Sequence, residues 1–217
     1  MRVKVVEGAL KEELLTTLRN RRTPPEIFRE SLERLGILLI SEALKELRTR
    51  EVRIETPISE GVFRSISQEV VFIAILRAGL SLIPPALELF PKGRVGFIGV
   101  YRNEETLKPV NYYVKFPKVK GAKYILLDPM LATGGTAEFS IELLLKSGVG
   151  EEEISFVSVV SAPEGIERLE KFKRATLITA SVDIKLNDSG YIVPGLGDAG
   201  DRFCGTENVE VVESYGV

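Results

Sequence analysis

Short, unbroken apolar runs that alternate with stretches of helical period constrain this chain more than any other feature. Val70-Val71-Phe72-Ile73-Ala74-Ile75-Leu76 offers no polar side chain to water on either side, as in a strand buried on both faces. Similar runs follow at 95–101, 124–127, 154–160 and 176–180. Between them, residues 80–90, 137–146 and 163–172 place apolar side chains at helical spacing. Upstream, residues 8–20 carry Leu10, Leu14, Leu15 and Leu18 at the same spacing. Pro24-Pro25 then opens a second helix through Ile27, Phe28, Leu32, Leu35, Leu38 and Leu39 to Leu47, proline being tolerated where the N–H has no partner. Strands alternating with helices form βαβ units, so the predicted class is α/β with a parallel sheet and right-handed crossovers. No linker or repeat divides the 217 residues, and one domain over 1–217 is expected.

Composition removes whole chemistries. Histidine and tryptophan are absent and Cys204 is the sole cysteine. Ser-His-Asp and Cys-His catalysis, His-ligated zinc and a histidine general base are therefore excluded, as is an internal disulfide. What remains is carboxylates, Lys and Arg, hydroxyls, backbone amides and a hard cation such as Mg²⁺. Lys+Arg 29 against Asp+Glu 31 gives a net charge of −2, which argues against a partnership with nucleic acid or membrane. No stretch reaches the roughly 18 apolar residues of a membrane span. Met1-Arg2-Val3-Lys4 lacks the apolar stretch of a secretory signal, so a cytoplasmic protein is expected. Cys204, in Phe203-Cys204-Gly205, is expected to be a small packing residue.

In a parallel sheet the ligand crevice lies outside the carboxyl ends of the strands, so the residues just after each run are the candidates. After the third run comes Asp128-Pro129-Met130-Leu131-Ala132-Thr133-Gly134-Gly135-Thr136, leading into a helix. The paired glycines allow a tight turn that aims successive N–H groups inward. Thr133 and Thr136 add hydroxyls, and the helix dipole favours an anion there. This is a phosphate cradle without the lysine of a nucleotide-triphosphatase loop. Asp128 suits sugar hydroxyls or a metal. After the first run stands Leu76-Arg77-Ala78-Gly79, and after the second Tyr101-Arg102-Asn103-Glu104-Glu105. Two strand-terminal arginines beside a cradle point to a polyanion with separated phosphates. The alternating segment 110–116 reads as part of a hairpin-like flap over the site. Gly190 to Arg202, with four glycines and a proline, forms a loop whose amides and carbonyls can meet the edge of a planar heterocycle. Asp198 and Asp201 in it can serve a ribose, a diphosphate-bound cation or the loop's own turns. Arg19, Arg21 and Arg22, between the first two helices, read as a solvated loop before they read as an anion site.

These segments, together with Ala162-Pro163-Glu164-Gly165, resemble the type I phosphoribosyltransferases, and among them the uracil phosphoribosyltransferases, in order over nearly the whole chain. The resemblance implies a type I core with flanking helices, a flap hairpin and a small base-binding hood. It implies transfer of 5-phosphoribosyl from phosphoribosyl diphosphate to uracil N1, giving UMP and diphosphate. Arg77, Arg102 and Asp128 are then the expected catalytic residues. Residues Asp128, Pro129, Met130, Leu131, Ala132, Thr133, Gly134, Gly135 and Thr136, with Arg77, Arg102 and Asp198, would hold phosphoribosyl diphosphate. Ile192, Gly197, Asp198 and Ala199 would hold uracil. Pro129 stands where most of the superfamily has a second acid, as in the uracil enzymes, which leaves Mg²⁺ held mainly by substrate and water.

The alternative is a regulator of the same fold that binds RNA and has weak or no activity, which the near-neutral charge and the complete base loop disfavour. The resemblance also brings a homodimer or homotetramer, with the apolar helices before residue 50 as interface, and GTP as a candidate effector near residues 29–34. There Glu30 and Glu33 set acids against an anion, so GTP dependence is not expected. Residues 207–217 extend past the resemblance as a short alternating tail.

Overall fold

A computed structural model of the chain describes residues 1–102, 109–207, 209–210 and 212. In chain order it comprises β1 (Arg2–Val5), α1 (Ala9–Arg19), α2 (Pro25–Leu44), β2 (Thr49–Glu55), β3 (Glu60–Ile66) and β4 (Val70–Leu76). A 3-10 turn at Ala78–Leu82 leads to α3 (Ile83–Leu89), β5 (Arg94–Arg102), β6 (Pro109–Lys115), β7 (Lys123–Leu127) and β8 (Met130–Leu131). Then come α4 (Gly135–Lys146), β9 (Ile154–Ser161), α5 (Pro163–Arg168), β10 (Thr176–Val182), β11 (Lys185–Leu186), β12 (Ile192–Val193) and α6 (Ala199–Cys204).

The central sheet has the order β1-β10-β9-β7-β4-β5-β6, with the short β8 also paired to β9. All these pairings are parallel except β5–β6. From β4 the chain steps to β5 on one side and later returns to β7 on the other. The strand order therefore reverses between β4 and β7, where ligands bind in open α/β sheets.

The apolar runs are dictated by cover on both faces. Val70, Phe72, Ile125, Leu127 and Val157 point toward α1, α2 and α3, while Val71, Ile73, Leu126, Phe156 and Leu177 point toward α4 and the segment after α5. Every residue of β7 and β9 is buried. Burying one such leucine or isoleucine stabilises the fold by about 2 kcal/mol.

Two expectations change. The sheet is mixed, because the alternating segment expected in a hairpin-like flap is the antiparallel edge strand β6, paired from Phe97 opposite Lys115 to Arg102 opposite Pro109 with a register shift between Gly99 and Val100. An edge strand covered on one face needs only alternation. Gly99 makes the pairing close, since a Cβ there would lie 2.6 Å from the Tyr112 ring. The flap's expected tip, at 103–108, falls outside the described residues. In α1 and α2, Leu14, Leu15, Leu18, Phe28, Leu32, Leu35, Leu39 and Ile40 are buried in this chain's own core, while Leu10 and Ile27 remain exposed. Finally, β1, β2 and β3 are strands outside the expected set: β1 pairs with β10 at the sheet edge, and β2–β3 is a separate hairpin. Of the 207–217 tail, Val209 and Val212 are exposed and most of the rest lies outside the described residues.

Candidate active site

The loop after β7 is fixed by its neighbours. Val159 and Val160 N–H both donate to Pro129 O, at 2.9 and 3.1 Å, and Ala162 N–H donates to Leu131 O at 2.8 Å. The loop then turns at Gly134, φ +76, where a Cβ would stand 2.9 Å from Gly165 O. A Cβ on Gly165 would in turn stand 2.4 Å from Ala132 O. Ala162-Pro163-Glu164-Gly165 thus has a physical role: Pro163 starts α5, and Gly165 lets the cradle press against that helix. The first turn of α4 leaves its N–H groups without intrahelical partners. They border a cavity of about 90 Å³ lined by Asp128, Met130 and the residues up to Ala137.

The loop after β4 lies alongside. The Leu76–Arg77 peptide is cis, and Gly79 allows contact so close that a Cβ would come within 2.2 Å of Leu127 O. Arg77 Nη2 donates to Asp201 Oδ1 at 3.1 Å. Burial lowers the pKa of Arg77, but the hydrogen bond and charge of Asp201 outweigh it and raise the value overall.

The third wall is the outlying unit of β11, β12 and α6. Glu164 accepts Leu186 N–H at 2.9 Å, tying this unit to α5. The Val193–Pro194 peptide is cis, and Gly195 and Gly197 take φ +61 and +79. Asp198 caps α6 by accepting Asp201 N–H at 2.8 Å. A second cavity, about 300 Å³, is lined by Arg77, Ala78, Asp128, Met130 and Ala132 on one side and Ile192, Gly197, Asp198 and Ala199 on the other. Gly190, Tyr191 and Gly200 complete it.

The structure therefore brings together Arg77, Asp128, Met130, Ala132, Ile192, Gly197, Asp198 and Ala199 in one cavity, and Leu131, Thr133, Gly134, Gly135 and Thr136 in the adjoining one. Asp128 borders both. Burial, reinforced by the charge of Asp198, pushes Asp128 up to about 7, against the opposing hydrogen bond from Met130 N–H. Pro129 lines neither cavity; it is buried and its carbonyl is given to β9. Arg102 ends β5, and its side chain lies outside the described residues. Asp201, left open between ligand and turn, is the partner of Arg77.

Two readings shift. Arg19 is no solvated loop residue: it ion-pairs with Asp183. Arg29 Nε donates to Phe203 O at 2.7 Å, and Arg34 pairs with Glu30. Cys204 is exposed instead of packed, because α6 ends there with its side chain toward solvent. Sequence reasoning passed over Asp183 and gave Glu164 and Arg202 no role of their own, since each has partners far away in the chain.

The comparisons agree with this geometry. The family model described as uracil phosphoribosyltransferase matches residues 5–206. A uracil phosphoribosyltransferase of Thermus thermophilus is 43% identical over 210 residues, covering 95% of this chain and 100% of the relative. One from Dictyoglomus thermophilum is 45% identical over 206 residues, covering 94% and 99%. The solved structure of the AQ2163 protein from Aquifex aeolicus superposes with a TM-score of 0.86 at 42% identity, covering 93% of this chain and 97% of that one.

Proposed function

The chain belongs to the uracil phosphoribosyltransferase family, and we propose that its two adjoining cavities divide one substrate pair between them. The 90 Å³ cradle takes the 5-phosphate of phosphoribosyl diphosphate, and the 300 Å³ cavity takes the ribose and uracil. The observation that carries this reading is Asp128, which borders both spaces where the strand order reverses.

Breaking the bond from the anomeric carbon to diphosphate leaves positive charge on the ribose and negative charge on the leaving group. Uracil N1 attacks from the opposite face, giving UMP and diphosphate with inversion. Arg77 faces the leaving group with a guanidinium, and Arg102, from the end of β5, is its expected second cation. Ionised Asp128 accepts from the ribose hydroxyls and supports the developing cation. No protein nucleophile is needed, so positioning and electrostatics supply the catalysis.

Among the described residues no cluster of three His, Cys, Asp or Glu side chains could cage a metal. The two carboxylates of the cavity, Asp128 and Asp198, suit Mg²⁺ that arrives on the substrate's oxygens with its own water. Bound there, it would offset charge on the diphosphate.

The decisive assay mixes uracil, phosphoribosyl diphosphate and Mg²⁺ with the purified protein and follows UMP. Turnover that is lost in Asp128→Asn is the expected result, and a wild-type protein that makes no UMP overturns the reading.

A further inference from the structure

The base loop does not hold its own shape. Four glycines in residues 190–200 leave its backbone loose by composition, yet at Gly195 both backbone polar groups are taken by one ion pair. Gly195 N–H donates to Asp183 Oδ2 at 2.8 Å, and Gly195 O accepts from Arg19 Nη1 at 2.7 Å. Arg19 also grips Asp183 fork on fork, Nη1 to Oδ2 at 2.7 Å and Nη2 to Oδ1 at 2.6 Å. Ser181 closes the ring, accepting from Arg19 Nη2 at 3.1 Å and donating to Asp183 Oδ1 at 2.7 Å. The Asp183 side chain is 1% exposed, so this is an interior device and not a surface ion pair. None of the three side chains lines the cavity, whereas Ile192 and Gly197, on either side of Gly195, both do.

We propose that Arg19 and Asp183 are positioning residues for the base: by fixing both backbone polar groups of Gly195 they set how the loop's amides and carbonyls meet the pyrimidine edge. This rests on the assignment of Ile192, Gly197, Asp198 and Ala199 to uracil. The physical reason is directional. A hydrogen-bonding template discriminates one heterocycle from another only if its donors and acceptors are fixed, because a mismatched base then leaves buried groups unpaired. A planar guanidinium fixes Gly195 and Asp183 together, which a lysine's point charge cannot do.

Arg19→Lys tests this, with uracil and phosphoribosyl diphosphate varied independently and a thermal melt run alongside. The KM for uracil should rise about tenfold, the equivalent of one misaligned hydrogen bond, while the KM for phosphoribosyl diphosphate stays within about twofold. The preference for uracil over cytosine should shrink as well. A purely structural role would lower the folded fraction, hence apparent kcat, and leave both KM values alone; that result, or an equal rise in both, overturns the proposal. If Arg19→Lys does not fold, Ser181→Ala deletes one arm of the ring and should raise the uracil KM about threefold, and an unchanged KM again overturns it. Ala199→Val in the cavity wall separates the two levels of the argument. An unchanged uracil KM in that variant sinks the base assignment itself. A raised one there beside an unchanged one in Arg19→Lys sinks only the positioning role.

Discussion

The proposed phosphate cradle and the proposed base loop serve one substrate pair but are built by opposite means. The cradle occupies consecutive residues between β7 and α4, and backbone packed against backbone holds it, with Gly134 and Gly165 setting the approach to α5. The base loop takes its shape from the far end of the chain. Arg19 reaches Gly195 across 176 residues, and Arg202 donates to Leu196 O at 2.7 Å, to Asn20 O at 2.9 Å and to Leu18 O. The Arg202 guanidinium also lies 4.2 Å from the centre of the Phe28 ring. Local packing suits a phosphate, which every phosphoribosyl donor carries. Buried, directional polar contacts suit a base, which has to be told from its analogues. Loss of buried polar partners should therefore damage the second region and spare the first.

Asp128 borders both cavities, so its replacement should have the largest effect. Asp128→Asn should cost about a hundredfold or more in kcat/KM, comparable to removing one preorganised transition-state contact. The same change should stabilise the fold at alkaline pH. Burial holds the Asp128 proton up to about 7, so the folded chain binds that proton more tightly than the unfolded one does. The stability this contributes is complete below the unfolded value of about 4 and is lost as pH rises through about 7. Thermal melts at about pH 8 should place the asparagine variant above wild type, with the gap closing near pH 5. A variant that melts lower at both would show that Asp128 supports the fold instead of straining it.

Two glycine substitutions then set the regions against each other. Gly165→Ala drives a Cβ to 2.4 Å from Ala132 O, and Gly195→Ala drives one to 2.2 Å from Ile192 O at a positive φ. The first should raise the KM for phosphoribosyl diphosphate about tenfold and spare uracil, and the second should do the reverse, each equivalent to about 1.4 kcal/mol. Parallel losses in both constants would mean that the two regions yield as one unit. A smaller effect comes from pH. If ionised Asp128 is what captures the ribose, kcat/KM for phosphoribosyl diphosphate should be about fourfold lower at pH 6.5 than on its alkaline plateau. The residual activity of Asp128→Asn should show no such slope.

The same contrast explains what could be read from the sequence. The cradle was legible because every residue that makes it is contiguous, and its glycines, threonines and acid follow a buried run. The β-branched runs gave the sheet for the same reason. β2 and β3 escaped because Arg50, Glu51, Arg53, Glu55 and Arg64 break up their apolar residues and neither strand packs on a core. β1 escaped as an edge strand with Arg2 and Lys4 in alternation. The base loop was legible as a place, through Gly195, Gly197 and Asp198, but not as a mechanism. Arg19 looked like a surface charge because Asp183 is 164 residues away. Glu164 showed only as part of a family motif until its bond to Leu186 N–H gave it a task.

The smallest effect concerns the seam between the regions. Arg77 belongs to the loop after β4, and its partner Asp201 belongs to α6, which the base loop leads into. Both side chains are more than a third exposed, so the pair is worth at most about 1 kcal/mol. Asp201 Oδ1 also accepts the Thr206 hydroxyl at 2.9 Å, which fixes the carboxylate before substrate arrives. On the proposed assignment of Arg77, an incoming diphosphate competes with that carboxylate for the guanidinium. Asp201→Asn keeps an oxygen acceptor where Arg77 expects one and removes the competing charge. Product inhibition by diphosphate should then tighten about twofold to threefold, with a matching fall in kcat if diphosphate release limits turnover. The KM for uracil should not move, because the Asp198 cap accepts the backbone N–H of residue 201 and not its side chain. Weaker inhibition by diphosphate would reverse the assignment, making Asp201 the residue that aims Arg77 instead of the one that restrains it.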